Sequence, residues 1–161
     1  MTEQMKGEEA MEMFKLVKAN NLLPAGIDDL VPLSFIGQAA IAFYRAKIKV
    51  MDQLCMTEAQ RKATLRDGQD AGEMLLDIES RIGELLPSRE EAISKGRKRG
   101  ASLQAGREAE PGRPADITEK HAHYARTISD NPAIVARIKA QARANEDIPT
   151  KTAVLNAIHP T

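Results

Sequence analysis

The stretch TEAQRKATLRDGQDAGEMLLDIESRIGELLP, residues 57–87, decides how this chain folds. It opens on Thr57 with Gln60 three residues later, a capping-box pattern in which the two side chains satisfy free N–H groups at a helix start. Further on, Ala71, Leu75, Ile78, Ile82 and Leu85 step by 4-3-4-3, so they share one helix face. Pro87 stops the helix. Gly68 and Gly72 each cost up to ~1 kcal/mol relative to Ala in a helix interior, which leaves room for a bend near RDGQDAG. Two heptads are too few to require a coiled coil, and an antiparallel hairpin with the preceding helix explains the seam at least as well.

That preceding helix is expected over 34–56, opened by Pro32 with Ser34 as N-cap. Its apolar stripe runs Ile36, Ala40, Phe43, Val50 and Leu54, with Lys47 the polar exception and Ala39, Tyr44 and Met51 widening the face. Before it, NNLLPAGIDD breaks the chain. Residues 3–19 have the spacing of a short amphipathic helix, with Met5, Ala10, Met13, Phe14 and Val17 on one side.

After Pro87 the character changes. Residues 87–116 are dominated by Gly, Pro, Ser and charge without apolar periodicity, the composition of a basic flexible linker. KGRKRG puts Lys95, Arg97, Lys98 and Arg99 within five residues. Helical signals return at Ile117. Thr118 caps a helix to about Asp130. Asn131 and Pro132 start another to about Ala144, with Ile134, Val135, Ile138 and Ala142 inward. Thr150 caps a last short one. The expected architecture is all-α: an N-terminal helical hairpin or oligomerisation region (1–86), the linker (87–116) and a C-terminal three-helix region (117–161).

Composition agrees. Of the 161 residues, 42% are hydrophobic and only 3% aromatic, with no Trp, so Ala, Leu, Ile and Met must fill the interior, as suits helix–helix packing. Net charge is +0, which gives no global pull towards nucleic acid or membrane. The distribution is uneven. Residues 1–30 carry three Lys and six Asp or Glu, whereas residues 87–115 carry seven Lys or Arg and four Glu. A single cysteine, Cys55, builds neither an internal disulfide nor a zinc site; in MDQLCM it reads as a small buried filler. The acidic N-terminus lacks the apolar run of a signal peptide, and no stretch approaches the ~20 apolar residues that span a bilayer. The expectation is a cytoplasmic protein without a membrane partner.

The chemistry-bearing residues are few. His121 and His123 are two apart, so on a helix they point about 200° from each other and cannot chelate one ion. No nucleophile elbow, phosphate loop or dinucleotide fingerprint is present. The reading is no catalytic residues, no metal and no cofactor. The helix 118–130 sorts instead into a packing side (Ile117, His121, Tyr124, Ala125, Ile128) and a polar side that offers Lys120, His123, Arg126 and Thr127 as donors to base edges or phosphates. The pattern Ile117-Thr118…Ala122…Ala125 fits the second half of a degenerate helix-turn-helix. Lys95, Arg97, Lys98, Arg99 and Arg113 are candidate phosphate contacts. A solvated helix face and a soluble linker account for the same residues.

Taken in order, RIGELL (Arg81–Leu86), the basic gap, GRP (Gly112–Pro114), ITEKHAHYARTISDNP (117–132) and DIPTKTAVL (Asp147–Leu155) resemble a group of small helical proteins from phages, prophages and related mobile elements. The C-terminal part is distantly similar to the helix-turn-helix region of ParB-like partition proteins. The resemblance covers roughly residues 70–158. It departs at His121, where the family pattern has Gln, and before Ile117, where the preceding helix is cut to Ala115-Asp116. It implies a non-enzymatic DNA-binding or DNA-associated protein with double-stranded DNA as partner. Residues 34–86 would mediate homo-oligomerisation or hold a protein partner. The rival readings are a helical adaptor or inhibitor of a host system and a structural phage component.

Overall fold

The computed structural model describes residues 15–17, 19, 23–24, 26–87 and 117–159. The fold is all-α: α1 (Ile27–Gln53), α2 (Glu58–Leu85), α3 (Glu119–Ser129), α4 (Pro132–Ala144) and α5 (Lys151–Ile158). At 1.5 Å per residue, α1 and α2 are each roughly 40 Å long. They form the antiparallel hairpin, and α3 lies along α2.

α1 begins seven residues earlier than its sequence suggests. Pro32 and Ser34 lie inside it, and Gly26 occupies the N-cap. An interior Pro loses one backbone hydrogen bond and costs ~3 kcal/mol or more. Leu30, Val31 and Leu33 are almost wholly buried, and each such side chain contributes ~1.5–3 kcal/mol. Burial therefore carries the helix through the proline.

The face that α1 buries also differs from the expected stripe. Leu30, Leu33, Ser34, Gly37, Ala40, Ile41 and Met51 turn inward, whereas Phe43, Val50 and Leu54 are exposed. α1 carries two apolar stripes, and where the buried one meets α2 the small residue is Gly68 of α2. A Cβ on Gly68 would stand 3.1 Å from the Cβ of Tyr44.

The turn joining the two helices is a Schellman closure. Cys55 takes φ 52°, its N–H donates to the Asp52 carbonyl, and the N–H of Met56 donates to that of Met51. Cys55 is therefore exposed at the hairpin tip, not a buried filler. The capping box at Thr57 and Gln60 forms.

α2 is one continuous helix through both glycines. A Cβ on Gly72 would stand 2.6 Å from the Pro149 carbonyl oxygen, so this glycine admits the loop after α4. Gln69 donates to the Asp147 carbonyl (3.0 Å) and Arg45 to that of Ile148 (3.3 Å), fastening the same loop.

Among the described residues, α2 contributes to three apolar clusters. Ala71, Met74, Ile78 and Ile82 meet α1, Ile117, Ala122 and Ala125. Leu76 meets Ile128, Val135, Ile138 and Val154. Leu65 and Leu75 meet Ile41 and Ile148. The heptad seam is thus one part of a helix buried on several sides. Hairpin and C-terminal helices share these clusters.

Candidate nucleic-acid interface

Thr118 caps α3, accepting from the N–H of His121 at 3.0 Å. Ala122, Ala125 and Ile128 are fully buried against the hairpin. Contact is tight enough that a Cβ on Gly83 would overlap the Ala125 carbonyl and stand 2.7 Å from Ser129 Cβ. His121 faces inward, as its place in the helix predicts. Its Nε2 lies 2.8 and 3.0 Å from the carboxylate oxygens of the fully buried Glu79. Lys151 Nζ approaches the same carboxylate at 3.4 Å, and the Phe35 ring meets the imidazole edge-on at 6.0 Å.

The other side of α3 meets α5. Lys120, His123 and Thr127 line a cleft of about 440 Å³ together with Thr152, Asn156 and His159. His123, Thr127 and His159 also line a second cleft of about 710 Å³, with Arg126 and Asn131 in its wall. All four α3 candidates thus border one continuous surface. Thr152, Asn156 and His159 extend it, and their 4-3 spacing puts them on one face of α5; that spacing was the signal available in sequence. Lys120 is exposed, and its ammonium lies 5.7 Å from the Tyr124 ring centroid. Thr127 Oγ1 donates to the His123 carbonyl at 2.9 Å, and Asn131 Nδ2 to the Thr127 carbonyl at 2.7 Å. Arg126 Nε donates to the Pro87 carbonyl at 3.0 Å, a fitting place for a cation just past the negative end of α2.

The remaining cations of the C-terminal helices divide sharply. Arg143 forks onto α2, Nε to Glu73 and Nη2 to Asp70, both at 2.7 Å. These hydrogen bonds hold its guanidinium protonated well above the usual arginine range. Lys139 pairs with Asp77 and Lys151 with Glu79. Arg137 on α4 is exposed. Acidic positions along α2 therefore neutralise three cations that would otherwise face solvent.

Lys95, Arg97, Lys98, Arg99 and Arg113 lie outside the described residues, as does the stretch before Ile117 that would carry the first helix of a helix-turn-helix. Among the described residues, no three His, Cys, Asp or Glu side chains gather as metal ligands. Comparison of the chain with protein-family models, curated proteins and solved structures finds no match.

Proposed function

We propose that this chain is a non-enzymatic, DNA-associated protein of the phage or mobile-element kind, and that duplex DNA lies across the surface where α3 and α5 meet. The observation that carries the reading is the gathering of Lys120, His123, Arg126 and Thr127 on one surface with Thr152, Asn156 and His159. Hydroxyl, amide, imidazole and cationic donors are the groups that engage phosphate oxygens and base edges. Pro87, from which the sequence continues to Lys95, Arg97, Lys98, Arg99 and Arg113, lines the wall of the larger cleft. Those cations would add phosphate contacts.

Fluorescence anisotropy with labelled duplex tests this. Affinity should fall steeply with salt, the log–log slope giving ~0.9 per phosphate neutralised. Lys120→Ala with Asn156→Ala should weaken binding about tenfold, in the range of one or two lost polar contacts. No binding at low salt overturns the reading. Full binding by that variant, with loss only when Lys95, Arg97, Lys98 and Arg99 are replaced, overturns the α3–α5 surface as its seat.

A further inference from the structure

We infer that the outward face of α1 is a self-association surface, on which a second copy of this chain docks antiparallel through the same helix. Phe35, Phe43, Val50 and Leu54 are 48, 60, 49 and 67% exposed. Ala39, Ala42 and Ala46 lie exposed between them. On a helical projection these residues form a stripe roughly opposite the face that packs on α2. A row of large apolar side chains held out on a rigid, 27-residue helix is not a scatter of single surface residues.

Its size fits a copy of itself. The exposed parts of these residues come to roughly 600 Å² of apolar surface, and the stems of Lys47 and Lys49 with Gln38 and Gln53 bring it to the ~800 Å² per partner of a standard interface. Its charge fits as well. α1 carries three Asp (Asp28, Asp29, Asp52) and three cations (Arg45, Lys47, Lys49). A neutral helix offers no net attraction to a nucleic acid or an anionic lipid surface, and no net repulsion to a second copy.

The charges also set the orientation. Asp28 and Asp29 open the helix, and Arg45, Lys47 and Lys49 fall in its last third. A parallel pair lays like charge on like, whereas an antiparallel pair separates them and opposes the helix dipoles. With the two-fold axis near Ala42 and Phe43, Phe35 of one copy meets Val50 of the other, Ala39 meets Ala46, and each Phe43 lies over the other's Ala42. Such an isologous contact closes as a dimer.

α1 is also long and apolar enough, by length and composition, to cross a bilayer, contrary to the sequence expectation; the uncharged run 30–44 makes it so. The test therefore includes lipid. Light scattering of the full chain over a concentration series should show a mass rising from 17.6 kDa towards twice that. Phe43→Glu with Val50→Glu should weaken association at least about 100-fold, with the helical circular-dichroism signal unchanged because both side chains are exposed. Ala42→Cys in a Cys55→Ser background should form a disulfide dimer on oxidation. The native Cys55 should not, because the two copies of it would lie roughly 35–40 Å apart, far beyond disulfide reach. A monomer at every concentration, an unchanged dimer in the double variant, or cross-linking through Cys55 overturns the inference. So does binding of a monomeric chain to phosphatidylglycerol–phosphatidylcholine vesicles through the same residues. None of these outcomes depends on DNA binding.

Discussion

Glu79 on α2 and His121 on α3 are joined through both carboxylate oxygens, 3.0 and 2.8 Å from one imidazole nitrogen, where the glutamate has no solvent exposure and the histidine side chain only 10%. A buried carboxylate without partners would cost several kcal/mol. This contact is therefore a condition for docking α3 and α5 on the hairpin as they stand.

Glu79→Ala takes the carboxylate from both His121 and Lys151, and His121→Ala leaves the fully buried Glu79 with Lys151, at 3.4 Å, in place of two closer contacts. Glu79→Ala and His121→Ala should each lower stability by about 3–5 kcal/mol. Replacing both with Leu should cost well under the sum, giving a coupling of at least ~1 kcal/mol in a double-mutant cycle. Urea denaturation measures all of these. Additive losses would show that the two side chains do not share an environment.

Gly83→Ala sets helix propensity against packing. Alanine gains up to ~1 kcal/mol in a helix interior. Here its methyl would strike the backbone carbonyl of Ala125 and the Cβ of Ser129, and overpacking costs ~1–3 kcal/mol or more when backbone must move. A net loss of about 2 kcal/mol in thermal or urea unfolding is expected; a gain in stability would mean that α3 sits farther from α2.

Ser34 predicts the opposite sign. Its hydroxyl is fully buried and has no hydrogen-bond partner among the described residues, and an unmet buried hydroxyl costs ~1–3 kcal/mol. Ser34→Ala should therefore stabilise by about 1 kcal/mol. A loss of that size in the same unfolding assay would reveal a hydrogen bond at this site.

Tyr44 gives the pH dependence. Burial first, then the nearby Asp67 and Asp70, push its phenol above the ordinary tyrosine range. The neutral form is favoured in the fold, so this contribution to stability is intact below pH ~10, the unfolded value, and declines as pH rises through the folded one. In a Tyr124→Phe background, absorbance should report a midpoint above that of free tyrosine. Tyr44→Phe should flatten the alkaline loss of stability.

Most of the architecture was legible in local sequence because caps and periodicity act over a few residues. Thr57, Thr118 and Thr150 cap the helices they announce, and the inward turn of His121 followed from its place among Ile117, Ala125 and Ile128. Local rules place the start of α1 too late because they treat Pro32 as a start and Ser34 as a cap. The burial of Leu30, Val31 and Leu33, which overrides both, comes from residues distant in the chain.

The sequence by itself determined that the chain is helical, where each C-terminal helix begins, and which residues of α3 are polar, since these depend on neighbours within one or two turns. Only the tertiary structure decided which of α1's two apolar stripes is buried, that α2's acids would bind Lys139, Arg143 and Lys151, and that α5 would complete the surface beside Lys120. Those outcomes depend on long-range approaches that no local pattern encodes, of α1 and the loop after α4 at Gly68, of that loop at Gly72 and of α3 at Gly83.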